Sequence, residues 1–466
     1  MPFVFYDTET TGLHPGFDQI VQVAAIRTDN DLNETDRFEL RSRINPNVVP
    51  SPQAILANGL SIGDLTDQEL PTHYQMICEL NRRFESWSPA IFLGYNSIRF
   101  DEEFLRQALY QTLNPPYLTS FHGNGRNDVM SLTLACSVSG ASGLSVPLTE
   151  TGGASFKLQD LATANGISAR KAHDALSDTE TTLELCRLVK RLNPDLWQRF
   201  VRFSNKAAVA DFASSDEPFL LTEFFANKAY HTPVVFVANE PEQANSLLCL
   251  NLSTSAADLA SMSDEQLAAR ISSKPSPLRR VRTNAGPVLM PLWETSDELL
   301  GGLSCEELED RATQITEDHS FRARLADIFS KSRRKYPEPT HVEEKLYSGF
   351  SSSSDVTLCN RFHAASWDER LEIARSFEDD RLQELAERII YTNCRSSLPS
   401  ALVQKMDVDL ANRLMSSDAR LPSVEQAIKE SEEELASSED TASNLEEYAA
   451  YLVERRAKIK EFLQTQ

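Results

Sequence analysis

The chain has 466 residues, and at ~150 residues per domain that length points to about three domains rather than one core. Its 41% hydrophobic and 25% charged residues are the proportions of a water-soluble globular protein, and no stretch approaches the ~20 apolar residues that cross a bilayer. A formal net charge of −23 excludes a generally basic surface, so any attraction to phosphate has to come from a local cluster.

The N-terminus, Met1-Pro2-Phe3-Val4-Phe5-Tyr6-Asp7, has no basic region ahead of an apolar one and does not read as a secretory leader. Seven cysteines lie scattered without a Cys-x-x-Cys pair. That pattern suggests reduced thiols in a cytoplasm, with neither a disulfide framework nor a zinc site. Much of the acidity sits in the run from Glu430 to Asp440, which reads as a solvated helix face or loop, whereas Arg279, Arg280 and Arg282 form a basic cluster.

In chain order, Phe3–Asp7, Ile20–Arg27, Phe38–Ser42 and Ala90–Tyr95 read as strands. Apolar residues recur at three and four over Tyr74–Trp87, Asp101–Leu109, Phe156–Asn165 and Leu176–Arg191, which predicts helices. Together they describe an α/β unit with a mixed sheet covered by helices, closed by Asn193-Pro194. Short strands follow at Phe219–Thr222, Thr232–Val237, Ser246–Leu250 and Val288–Pro291, interrupted by a helix-like stretch at Ala256–Ala269. The serine run Ser351–Ser354 marks a loop or boundary, and beyond it the pattern is helical to the end. The expected organisation is therefore 1–193, 194–347 and 350–466: an α/β domain, a β-rich domain with helical additions, and an all-helical domain.

Three segments carry chemistry. In Asp7-Thr8-Glu9-Thr10-Thr11-Gly12, strand alternation puts the Asp7 and Glu9 carboxylates on one face. Two such carboxylates in a half-buried site repel unless a cation lies between them, and Mg²⁺ or Mn²⁺ suits an oxygen donor set. In Gly94-Tyr95-Asn96-Ser97-Ile98-Arg99-Phe100-Asp101, a buried strand runs into a polar turn and Asp101 opens a helix. In His173-Asp174-Ala175-Leu176-Ser177-Asp178, a titratable imidazole precedes another carboxylate by five positions. Judged singly, each has a plainer reading: an exposed turn, a first-turn acid, a surface histidine. Jointly they supply what two-metal phosphodiester hydrolysis needs, three or four carboxylates and a base for water.

Phe5-Tyr6-Asp7-Thr8-Glu9-Thr10-Thr11-Gly12, the segment ending at Asp101 and the segment from His173 to Asp178 resemble the three motifs of the DEDDh exonuclease superfamily. That resemblance implies a ribonuclease H-like fold, two divalent ions (Mg²⁺, with Mn²⁺ a substitute) held by Asp7, Glu9, Asp101 and Asp178, and His173 as general base. Ile26-Arg27-Thr28-Asp29, Leu93-Gly94-Tyr95-Asn96, Leu161-Ala162-Thr163-Ala164-Asn165-Gly166-Ile167 and Leu346-Tyr347-Ser348-Gly349-Phe350 extend the resemblance to the bacterial exonuclease I family. It implies an exonuclease domain, an SH3-like domain and a helical C-terminal domain. The implied activity is release of 5′ mononucleotides from single-stranded DNA in the 3′ to 5′ direction, in DNA repair and recombination. It also implies a monomeric cytoplasmic enzyme, with no membrane role, that binds the tail of single-stranded DNA-binding protein.

A single strand is held by aromatic stacking and by cations along its backbone. By position in the resemblance, Arg106, Tyr117, Phe121 and Lys206 are expected DNA contacts, with Lys157 and Lys171 as further cations and Glu9 also facing substrate. Lys157 stands where the family commonly has arginine, and Leu134 where it can have arginine, so a less basic groove is expected. An RNA 3′-trimming or proofreading enzyme would use the same chemistry, but such relatives are mostly the nuclease domain alone. A non-catalytic strand-binding adaptor is disfavoured by the complete carboxylate and histidine set.

Overall fold

Alternation along the first strand divides the N-terminal α/β unit into two layers. The structure, a computed structural model, describes all residues except 140–142, 151, 169–173, 226–227, 241–242, 334–336, 419 and 438–442. Strands β1 (Phe3–Thr10), β2 (Ile20–Thr28), β3 (Glu34–Arg41), β4 (Ile91–Gly94) and β5 (Gly125–Asp128) form one sheet in the order β3-β2-β1-β4-β5. The β1–β2 and β2–β3 pairs are antiparallel, and β1–β4 and β4–β5 are parallel, the mixed sheet expected. Val4 and Tyr6 pack with Phe84 and Phe104 of the helices His73–Trp87 and Asp101–Gln111 on one face. Phe3 and Phe5 pack with Leu183 and Cys186 of the helix Ala175–Leu192 on the other.

Three differences from the expected elements matter for the site. Strand β1 continues to Thr10, so Glu9 lies within the strand rather than after it. Strand β5 has the sequence Gly-Arg-Asn-Asp, without β-branched or aromatic residues, and its register with β4 (Ile91↔Gly125 to Gly94↔Asp128) defines it instead. The helix expected from Phe156 starts at Leu158, because Lys157 is extended at its N-cap.

The second sheet runs β10-β6-β7-β8-β9, built from β6 (Phe219–Phe225), β7 (Lys228–Asn239), β8 (Ser246–Asn251), β9 (Leu278–Arg282) and β10 (Val288–Pro291), all paired antiparallel. The basic cluster forms the edge strand β9, where Leu278 and Val281 turn inward and Arg280 and Arg282 outward. The helix expected over Ala256–Ala269 is two helices, Ala256–Ser261 and Asp264–Ser272, because Ser263 and Gln266 form a capping box that starts the second.

After Ser352, which caps the helix Ser353–Ala364, the described chain is helical. The acidic run lies on the helix Val424–Ser437 and, from 438 onward, outside the described residues. The last helix, Ser443–Gln464, returns to the N-terminal α/β unit: Tyr448 is fully buried and donates to the Pro50 carbonyl, and Arg455 donates to the Val48 carbonyl at 2.8 Å. Among the described residues no helix is long and apolar enough to cross a membrane. Truncating Tyr448 to Ala should cost about 3–5 kcal/mol in denaturant unfolding, the usual loss for a large buried aromatic. A loss below about 1 kcal/mol would show that this helix does not hold the terminus to the N-terminal α/β unit.

Candidate active site

Asp7 and Glu9 continue the Phe3–Phe5 face of β1, toward the helix Ala175–Leu192. That helix is started by Asp174, whose carboxylate accepts from Ser177 N at 3.2 Å, and Asp178 falls in its first turn, where the helix dipole favours an anion. One carboxylate oxygen each from Asp7, Glu9 and Asp178 lie within 4.8 Å of one another. Gln159 donates to Asp178 Oδ1 at 2.9 Å and fixes its orientation.

Burial, and after it the charges of Asp101, Glu9, Asp178 and Asp174, push the Asp7 carboxyl well above the usual range. Carboxylates so placed want a cation, and an all-oxygen donor set suits a hard divalent ion. The residues therefore fit a divalent metal, and Asp7, Glu9 and Asp178 are those that would hold it.

Among the described residues, Asp101 is not part of this three-carboxylate group. It is the first residue of the helix Asp101–Gln111, which packs on the opposite, Tyr6-bearing face of the sheet. Its Oδ1 accepts from Thr8 N at 2.9 Å and Thr8 Oγ1 at 2.6 Å, clamping the helix start to β1 between Asp7 and Glu9. Burial raises its pKa to about 7, against the Thr8 hydrogen bonds that favour the charged form.

The turn that delivers Asp101 is organised by Asp128, at the end of β5. This buried carboxylate accepts from the backbone N–H of Asn96 (2.8 Å), Ile98 (3.1 Å) and Met130 (2.9 Å), and Asn96 takes a left-handed φ of 57°. Burial raises its pKa to about 6 despite those three donors. Sequence reading missed Asp128, Thr8 and Gln159, since each acts through segments far apart in sequence. His173 and Lys171 lie outside the described residues.

The remaining expected contacts separate into an aromatic cluster and isolated cations. Tyr117 meets Phe121 edge-on, with ring centroids 5.8 Å apart, and the exposed Phe350 at the same distance. Tyr347, three residues before Phe350, donates to Glu103 and ties that segment to the helix Asp101–Gln111. Arg106 is buried, with Nε 3.1 Å from Glu102 and its guanidinium 5.3 Å from the Tyr117 ring centroid. It supports the aromatic cluster from within. Lys157 is exposed, and Lys206 is exposed and 3.3 Å from Asn245 Oδ1. Leu134 is buried with Phe156, Leu161 and Val288, so it is a packing residue and does not line a groove.

Three family models match in succession: Exonuclease over residues 4–186, Exonuclease I SH3-like domain over 204–331, and Exonuclease I C-terminal domain over 340–455. Exodeoxyribonuclease I of Haemophilus influenzae is 27% identical over 408 residues, covering 82% of this chain and 84% of that protein. Exodeoxyribonuclease I of Escherichia coli is 28% identical over 377 residues, covering 76% and 77%. The solved structure of Escherichia coli exonuclease I in complex with a dA16 oligonucleotide superposes with a TM-score of 0.86 at 23% identity, over 97% of this chain and 99% of that one. With its three domains matched in order and its carboxylates gathered on one sheet face, the chain belongs to the exonuclease I family of DEDDh exonucleases.

Proposed function

We propose that this protein is an exodeoxyribonuclease that degrades single-stranded DNA from the 3′ end, releasing 5′ mononucleotides by two-metal-ion hydrolysis. The observation that carries the proposal is the convergence of Asp7, Glu9 and Asp178 within 4.8 Å on one face of β1. Curated relatives spanning most of the chain carry the name exodeoxyribonuclease I, which supports DNA as substrate. Residues 1–193 would cut, while 194–347 and 350–466 would hold the strand.

Bound Mg²⁺, or Mn²⁺ in its place, supplies an acidified water and charge stabilisation at the leaving 3′ oxygen. Asp7, Glu9 and Asp178 would hold it, with Asp101 as the fourth carboxylate implied by the motif resemblance; Gln159 keeps Asp178 aligned, and the Thr8 clamp fixes Asp101 close enough for its charge to act on Asp7. His173, by its place in the third motif, takes the proton from the attacking water. Tyr117, Phe121 and Phe350 offer ring faces to unstacked bases, and Lys157, Lys171 and Lys206 offer charge to phosphates. The tail of single-stranded DNA-binding protein is the proposed protein partner, supported by a similar solved structure described as an SSB/Exonuclease I complex. A monomer acting in the cytoplasm, in repair and recombination, completes the reading.

Digestion of 3′- and 5′-labelled single strands with Mg²⁺ and then with chelator tests the activity, and a preference for matched RNA would overturn the substrate. Asp7→Ala or Asp178→Ala should abolish cleavage while leaving much of the strand affinity, and near-normal turnover in either would remove that carboxylate from the site. His173→Ala should retain metal binding and lose on the order of 10²–10⁴-fold in rate, the usual worth of a positioned base. A loss under about tenfold would assign the base elsewhere.

Metal binding should also be linked to pH. Asp7 and Asp101 have folded pKa values above their unfolded ones, so the folded state binds protons more tightly. For Asp101 that contribution to stability is therefore present at acid pH and declines as pH rises from about 4 through about 7, and Asp7 acts in the same direction. Divalent ions must displace those protons, so the rise in melting temperature produced by Mg²⁺ should grow with pH over that window. A Mg²⁺-induced rise that is the same at both ends of the window would contradict this.

A further inference from the structure

Next to Asp101 in the chain is a second acid that faces away from the carboxylate group. Glu102 is 1% exposed, and its Oε1 accepts from Thr119 Oγ1 at 2.6 Å, Arg106 Nε at 3.1 Å and Arg126 Nη1, while its Oε2 accepts from Tyr6 OH at 3.0 Å. These partners come from four places: the strand that carries Asp7, the helix that carries Asp101, the turn at Leu118–Ser120, and strand β5. The Tyr6–Glu102 bond joins the residues next to Asp7 and Asp101, parallel to the Thr8–Asp101 clamp. The helix start is thus held to β1 at two adjacent points.

Arg126 extends this knot out of the nuclease unit. While Nη1 meets Glu102, Nη2 donates at 3.0 Å to the carbonyl of Asn284, in the turn between β9 and β10 of the second sheet. Two residues on, Gly286 sits against the turn that leads into Asp101. A Cβ there would stand 2.3 Å from Asn127 Oδ1 and 3.2 Å from Ile98 Cδ1, and the Gly286 φ of 55° disfavours any side chain. Asn127 cannot easily give way, because its Nδ2 donates to the Phe200 carbonyl at 2.8 Å and its Oδ1 accepts from Asp128 N at 2.9 Å.

We infer that Glu102 is a positioning residue which, through Arg126, makes the place of Asp101 depend on how the second-domain turn Asn284–Gly286 is docked. Glu102 touches neither metal nor strand in this reading. A guanidinium shared between a buried carboxylate and a carbonyl of another domain has one arrangement that satisfies both. If the turn shifts, Arg126 must leave either Asn284 or Glu102, and a buried carboxylate that drops from two guanidiniums to one loses a charge-assisted bond that holds the helix start. The inference rests on the carboxylate site proposed above and gives the second domain a part in assembling it.

The test is a set of full-length variants, Glu102→Gln, Arg126→Lys, Tyr6→Phe and Gly286→Ala, with each rate and affinity scaled to the folded fraction from circular dichroism. Mn²⁺ affinity by titration calorimetry, without DNA, should fall about tenfold or more in Glu102→Gln and Arg126→Lys, the size seen when groups that orient metal ligands are changed. It should fall in the same direction but less in Tyr6→Phe and Gly286→Ala. On a single-stranded oligonucleotide kcat should fall with KM held within about twofold in Arg126→Lys and Gly286→Ala, which leave Arg106 and the aromatic cluster it supports in place. Mn²⁺ affinity and kcat both within about twofold of wild type in the folded variants would overturn the inference, as would a KM rise with kcat unchanged. If Glu102→Gln and Arg126→Lys fail to fold, Tyr6→Phe and Gly286→Ala decide it on the same criteria. A wild-type protein inactive on DNA would sink the proposed function, while the Mn²⁺ titrations would still decide the role of Glu102.

Discussion

The constraint on which this structure depends is the repulsion among carboxylates that the fold takes out of water together. Asp7, Glu9 and Asp178 have oxygens within 4.8 Å of each other, and Asp7 also feels Asp101 and Asp174. At such separations and low local dielectric, each unscreened pair is worth several kcal/mol of repulsion, on the order of the net stability of a domain. A chain does not keep that arrangement without surrounding structure that over-determines it. The Thr8 clamp, the Gln159 bond, the Asp174 cap and the Asp128 turn all serve this end: each fixes a backbone or side chain that would otherwise swing away.

Two buried acids one residue apart, Asp101 and Glu102, show how local partners decide charge. Burial raises Asp101 toward neutrality, opposed by neutral hydrogen bonds from Thr8 and from its own backbone N–H. Burial works the same way on Glu102, but the guanidiniums of Arg126 and Arg106 and the hydroxyls of Thr119 and Tyr6 hold it below the ordinary carboxylate range. The first acid is left wanting a cation from outside, and the second already has two from within. One helical turn thus presents a reactive group on a support that is electrostatically complete.

Much of this was legible in the sequence because it rests on short periods. The i, i+2 spacing of Asp7 and Glu9 identifies a shared strand face whatever the rest of the chain does, and the structure places them there. Asp101 and Asp178 were legible as acids at helix starts, and both lie in first turns. What sequence could not show is that Asp101 reaches the site from the opposite side of the sheet, which depends on which face each helix covers. Strand β5 was invisible because Gly-Arg-Asn-Asp becomes a strand only by pairing with β4. Arg106 was expected at the strand from its position in the resemblance, and its burial against Glu102 is a contact that sequence does not show. Leu134 is the converse case, an apolar residue read as a gap in a basic groove that is simply part of the core.

The raised pKa values of Asp7 and Asp101 have a consequence for how the protein is made. A site that can hold protons in place of metal ions lets the chain reach its native form as a partly neutralised apoprotein. Folding and metal loading then become separate events, the second a simple exchange of protons for cations on a finished scaffold. The acidity of the surrounding solution thereby sets how readily the finished site exchanges its protons for a cation.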